Sequence, residues 1–170
     1  MHGGQSVPNF DYSMAPGVAK TFAKEYFIAM EQNLEIRLNL DEEKAAEICA
    51  ELKKEVGTPR LADKDDYFAK IKDALKEKAS TDEETVAAIH ENAFKTAYKK
   101  TDKATYQAME AFIHNLNTMN SRAGAQVPFS SVNYGTDTSE EARMVIKNLL
   151  LATDAGLGNG ETPIFPVQIF

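Results

Sequence analysis

Val127-Pro-Phe-Ser-Ser-Val-Asn-Tyr134 is the stretch on which the fold turns. Its β-branched and aromatic residues run into Gly135-Thr-Asp137, the composition of a strand closed by a turn. Thr138 and Glu141 then have the spacing of a capping box. Behind them Ala142, Val145, Ile146 and Leu149 fall on one helical face. Ala155-Gly-Leu-Gly-Asn-Gly160 closes that helix, and Pro163-Ile-Phe-Pro-Val-Gln-Ile-Phe170 reads as a second strand. Strand, helix, strand predicts a βαβ unit, and hence an α/β protein with a parallel sheet under helical cover.

Upstream of this block, Tyr106, Met109, Ile113 and Leu116 extend a helix into a loop, Asn120-Ser-Arg-Ala-Gly-Ala-Gln126. Together these make a C-terminal segment, 105–170. A charged segment, 38–104, precedes it. There Ala45, Ile48, Cys49, Leu52 and Val56 mark one buried helical face that ends at Gly57-Thr-Pro59. Phe68, Ile71 and Leu75 make a second stripe. Ser80 with Glu83 has capping-box spacing ahead of Val86, Ile89, Ala93 and Ala97. The first segment, 1–37, places Met14, Val18, Phe22, Tyr26 and Met30 on helical spacing, with Pro16 marking a helix start or a kink.

A formal charge of −7 and a pI near 5.0 argue against DNA or RNA as the main partner, though a small phosphate ligand needs only a few local donors. No run of apolar residues is long enough to span a membrane, and the N-terminus lacks the pattern of a secretion signal. The single cysteine, Cys49, excludes an intrachain disulfide and a multi-cysteine metal site, and fits a reducing, cytoplasmic setting.

Several features invite a chemical reading. Gly156-Leu-Gly-Asn-Gly160 resembles a phosphate loop, but the helix precedes it and a strand follows, so it reads as a helix C-cap. His2, His90 and His114 are too scattered to share a metal, and none is expected. Cys49 sits on an apolar stripe, the place of a buried structural thiol rather than a reactive one. The loop Ser121, Arg122, Ala123, Gly124, Ala125, Gln126 is less easily dismissed. Small residues let backbone approach a ligand, and an arginine can hold a phosphate or stack on a base. Composition alone also accommodates a plain connector.

At this point four ordered blocks resemble a known family. Asn115-Leu-Asn-Thr-Met-Asn-Ser-Arg-Ala-Gly-Ala-Gln-Val-Pro-Phe-Ser-Ser-Val-Asn-Tyr-Gly-Thr-Asp137 is similar to a signature stretch of anaerobic, class III glycyl-radical ribonucleoside-triphosphate reductases. Gly3-Gly-Gln-Ser-Val-Pro-Asn-Phe-Asp11, Met14-Ala-Pro-Gly17 and Ala155-Gly-Leu-Gly-Asn-Gly-Glu-Thr-Pro-Ile-Phe-Pro166 stand around it in the expected order. The charged middle matches only as helical spacer.

The resemblance implies a helix-rich internal piece of the large subunit, taken from a ten-stranded α/β barrel with the substrate in its lumen. It implies reduction of ribonucleoside triphosphates by a glycyl radical and a cysteine thiyl radical, with zinc elsewhere in the intact protein. The implied partners are ATP or deoxynucleotide effectors, a second subunit in a homodimer, and a radical-SAM activase. By this resemblance no catalytic residue lies in this chain, and the chain alone is expected to be inactive. Ser121 to Gln126, with Ser130, takes the place of the substrate-specificity loop and its strand. Lys24 is the best match to a lysine that holds effector phosphates, with Lys20 second; an ordinary surface lysine is the competing reading. Asn120 departs from the family, which has histidine there, so a proton-transfer role is not expected. A glycyl-radical enzyme of other specificity fits the signature block less well. A reductase-derived nucleotide-sensing or interaction module without catalysis is the alternative from another class.

Overall fold

The computed structural model describes residues 4–118 and 127–170. In chain order these are β1 (Gly4–Val7), α1 (Phe10–Leu38), α2 (Glu42–Val56), α3 (Lys64–Ala79), α4 (Glu83–Thr118), β2 (Phe129–Asn133), α5 (Glu140–Ala155) and β3 (Val167–Ile169). The chain divides into two compact units: Met1–Val18 with Asp102–Phe170, and Ala19–Thr101. The long helices α1 and α4 each contribute to both.

The first unit is built on a three-stranded sheet in the order β1-β2-β3. Both pairings are parallel, with Gln5 opposite Ser130, Val7 opposite Val132, and Val132 opposite Gln168. The βαβ reading of the C-terminal segment therefore holds, and the sheet is of the expected parallel kind. β1 was not expected. Its four residues are all exposed, so no apolar alternation marks it, and it is a strand because β2 offers it a ladder. The face of Ser130, Val132 and Gln168 is the one covered by α5, since Gln168 Nε2 donates to Thr153 Oγ1 at 2.7 Å. Ala142, Val145, Leu149 and Ala152 line the buried side of α5.

Two expected caps move. The N-cap of α5 is Ser139, whose side chain accepts from the Ala142 N–H, not Thr138. Ser80 is the left-handed C-cap of α3, and Asp82 accepts from the Thr85 N–H at the start of α4. In each case a second side chain of capping chemistry stood nearer the true helix start. Gly156 does cap α5, at φ +77, and a Cβ there would lie 2.5 Å from the Glu161 carbonyl, so the site requires glycine.

The second unit is helical: the later part of α1, α2, α3 and the first part of α4. Phe22, Tyr26, Met30 and Leu34 of α1 are fully buried, as are Leu52, Ile71, Leu75, Val86 and Ile89. An aromatic cluster sits among them. Tyr26 packs edge-on to Tyr67 with centroids 5.6 Å apart, and Phe22 edge-on to Phe94 at 5.0 Å. Such pairs add roughly 0.5–1.5 kcal/mol each beyond the area they bury. Asp41 caps α2 by accepting from the Lys44 N–H at 2.7 Å, and Gly57 ends that helix at φ +86.

Candidate functional site

α1 carries Lys20 and Lys24 one turn apart on its exposed surface. Where α2 ends, Gly57-Thr-Pro59 breaks the helix, and the chain brings Lys53 and Arg60 to the same surface. The four basic side chains, with Phe27 and Glu31, line an open cleft of about 650 Å³ within the helical unit. That volume lies in the range of small-molecule sites, roughly 300–1,000 Å³.

The cleft gathers four basic side chains on one concave surface of an acidic chain. Seven ion pairs involve other basic residues: Lys44, Lys64, Lys78 twice, Lys100, Arg143 and Lys147. Among the described residues, Lys20, Lys24, Lys53 and Arg60 have no carboxylate partner. Lys53 Nζ instead lies 5.9 Å from the centre of the Phe27 ring. Gathered, unpaired cations in a concave surface are suited to a multiply charged anion such as a polyphosphate. Glu31 is the carboxylate among the described lining residues. Burial, with Glu35 and Glu42 nearby, holds its carboxyl above the ordinary 4.5.

The resemblance singles out Lys24, with Lys20 second, as a phosphate-holding lysine. Lys24 and Lys20 are both in it, one helical turn apart. Lys53 and Arg60 were missed, because they join α1 only through tertiary packing. The available signal was two cations flanking a helix-breaking Gly-Thr-Pro.

Ser121 to Gln126, and Asn120, lie outside the described residues. Ser130 is described: it is buried on the α5 side of β2, and its hydroxyl has no hydrogen-bond partner among the described residues. The end of α4, ahead of residues 119–126, is held by side-chain hydrogen bonds. Asn117, near the end of α4, donates to the Ile113 and Phe165 carbonyls and accepts from the Ile164 and Phe165 N–H groups.

The other chemical candidates are structural in their surroundings. Cys49 is buried, its thiol pushed up to about 12 by burial and then by Glu31. A thiol so held is neither a ready nucleophile nor a zinc ligand. His90 is buried, with Nδ1 2.8 Å from the Tyr26 hydroxyl and Nε2 3.0 Å from the Lys64 carbonyl, so both ring nitrogens are occupied. No helix among the described residues is long and apolar enough to cross a membrane.

A family model described as anaerobic ribonucleoside-triphosphate reductase matches residues 1–170. A protein of that name from Enterobacteria phage T4 is 41% identical over 76 residues, which is 44% of this chain and 12% of the phage protein. Its namesakes from Salmonella typhimurium and Escherichia coli K12 are each 35% identical over 75 residues, 44% of this chain and 10% of theirs. The aligned stretch thus spans about a tenth of each relative's length. With the match running along its whole length, the chain belongs to the anaerobic ribonucleoside-triphosphate reductase family.

Proposed function

We propose that this chain is part of an anaerobic reductase that converts ribonucleoside triphosphates to deoxyribonucleoside triphosphates, and that it supplies regulatory and substrate-selecting elements. The observation that carries the regulatory half is the cleft of Lys20, Lys24, Lys53 and Arg60, four cations without a carboxylate partner among the described residues, in a chain of net charge −7. In this reading Lys24 holds the phosphates of a deoxynucleotide or ATP effector. The substrate-selecting half rests on the resemblance of Ser121 to Gln126 to a specificity loop. Ser130, whose hydroxyl has no partner among the described residues, is the described member of that set. The parallel sheet is read as part of the wall of a larger α/β barrel.

The glycyl and thiyl radicals and the zinc of the intact family are assigned to no residue here. Cys49, the single cysteine, has the wrong surroundings for either thiyl or zinc chemistry. The homodimer and the radical-SAM activase are the partners this reading calls for.

The test is an assay of the complete protein under strict exclusion of oxygen after activation. Deoxyribonucleoside triphosphate should form, and effector should change the rate. Lys24→Ala should raise the effector concentration needed for half the response by about tenfold, the loss of one charged hydrogen bond. An active, radical-bearing protein that makes no deoxynucleotide would overturn the catalytic reading. An unchanged effector response in the variant would overturn the regulatory one.

A further inference from the structure

The cleft has a direction. Along α1, Lys20 and Lys24 stand at one end, Phe27 in the middle with Lys53 over its ring, and Glu31 at the other end. At 1.5 Å per residue, Lys20 and Glu31 are ~16 Å apart along the helix axis. That is about the reach of an extended nucleoside triphosphate, with its anionic end at the paired lysines. The base end would then meet Glu31. Glu31 forms no ion pair or hydrogen bond among the described residues, although four cations share the cleft with it.

We propose that Glu31 is the specificity-determining residue of this cleft and selects a guanine nucleotide over an adenine nucleotide. This rests on the reading of the Lys24 cleft as a nucleotide site. An ionised carboxylate only accepts hydrogen bonds. Guanine offers it two adjacent donors, the ring N1–H and the exocyclic amino group, in the geometry of a bidentate pair. Adenine offers an amino group beside a ring nitrogen that carries a lone pair, so one carboxylate oxygen would face another acceptor. Thymine and uracil offer a single ring N–H between two carbonyls and fall between the purines.

The experiment is isothermal titration of the complete reductase with dGTP, dATP and inorganic tripolyphosphate. It compares the wild type with Glu31→Gln, which is isosteric at a partly exposed site, and with Lys24→Ala. The wild type should bind dGTP about tenfold more tightly than dATP. Glu31→Gln should bring the two within about twofold and leave tripolyphosphate binding unchanged. A wild-type protein without guanine preference, or a preference that survives in Glu31→Gln, would overturn the assignment of Glu31. Lys24→Ala separates this from the reading beneath it. If that variant binds tripolyphosphate as well as the wild type does, the cleft is not the phosphate site, and both proposals fall. If it loses tripolyphosphate while Glu31→Gln keeps the guanine preference, only the role of Glu31 falls.

Discussion

The carboxylate of Asp11 holds the end of β2: its Oδ2 accepts from the Gly135 N–H at 2.9 Å and from the Asp137 N–H at 3.1 Å. Asp11 is buried in the first turn of α1, far away in sequence from the turn it grips. Burial pushes its carboxyl up, but the bonds from Gly135 and Asp137 outweigh that and hold it below the ordinary 3.8. Asp11→Ala should lower the stability of the complete protein by about 2 kcal/mol, the usual worth of hydrogen bonds to a charged group. Asp11→Asn, which keeps an acceptor, should cost less. Because the folded value is depressed, the contribution is present above pH 3.8 and is lost as the pH falls through the folded value. A melting temperature unchanged in Asp11→Ala would show that the turn is held by something else.

The helix caps distinguish neighbouring residues of the same chemistry. Ser139→Ala and Asp82→Ala should each destabilise by about 1 kcal/mol, since each leaves a first-turn N–H without its acceptor. Thr138→Ala and Ser80→Ala remove no such bond. Denaturant melts of the four variants check this, and a larger loss in Thr138→Ala than in Ser139→Ala would place the cap where the sequence pattern first suggested.

Burial holds the His90 imidazole below its ordinary 6.5, ahead of a smaller opposing effect from the Lys64 carbonyl. The ring therefore stays neutral when folded and takes up a proton more readily when unfolded. Its contribution to stability is full above pH 6.5 and declines as the pH falls below that value toward the depressed folded one. Melting temperature followed from about pH 8 to pH 5 should fall on the acid side. In His90→Gln the part of that slope due to the ring should vanish, and an unaltered slope would remove His90 from the account.

Asn117 uses both donors and both acceptor sites of its amide, two of its bonds going to its own helix and to Phe165, and two coming from Ile164 and Phe165. Asn117→Asp keeps the acceptors and loses the donors; Asn117→Ala loses all four bonds. Stability should fall in the order Asn, Asp, Ala, with Ala costing about 2–3 kcal/mol. Equal stability of the Asp and Ala variants would show that the donated bonds carry the whole effect.

How far the sequence could be read depended on whether the signal was local. The βαβ unit was legible because β2 and α5 each carry their own periodicity, and Gly156 marks the helix end through a φ that only glycine adopts cheaply. The stripe of Ile48, Cys49 and Leu52 was legible for the same reason, and with it the inert setting of Cys49. β1 was not, since Gly4-Gln-Ser-Val7 has neither alternation nor bulk and owes its form to β2. The caps slipped by one or two residues because Thr138 and Ser139, or Ser80 and Asp82, can all accept an amide. The cleft itself was not legible, and Lys24 and Lys20 were singled out only by the family resemblance. Lys20, Lys24 and Glu31 share one helix, whereas Lys53 and Arg60 meet them only after α2 has folded against α1. Charge unpaired in three dimensions leaves no mark on a sequence in which charges are common.

The most direct measurement is the structure of the complete reductase with a deoxynucleoside triphosphate effector bound. The phosphates should lie within hydrogen-bond reach of Lys24 Nζ, with Lys20, Lys53 or Arg60 completing the shell. A nucleotide bound elsewhere, with the Lys24 cleft open to solvent, would contradict the regulatory role proposed for this chain.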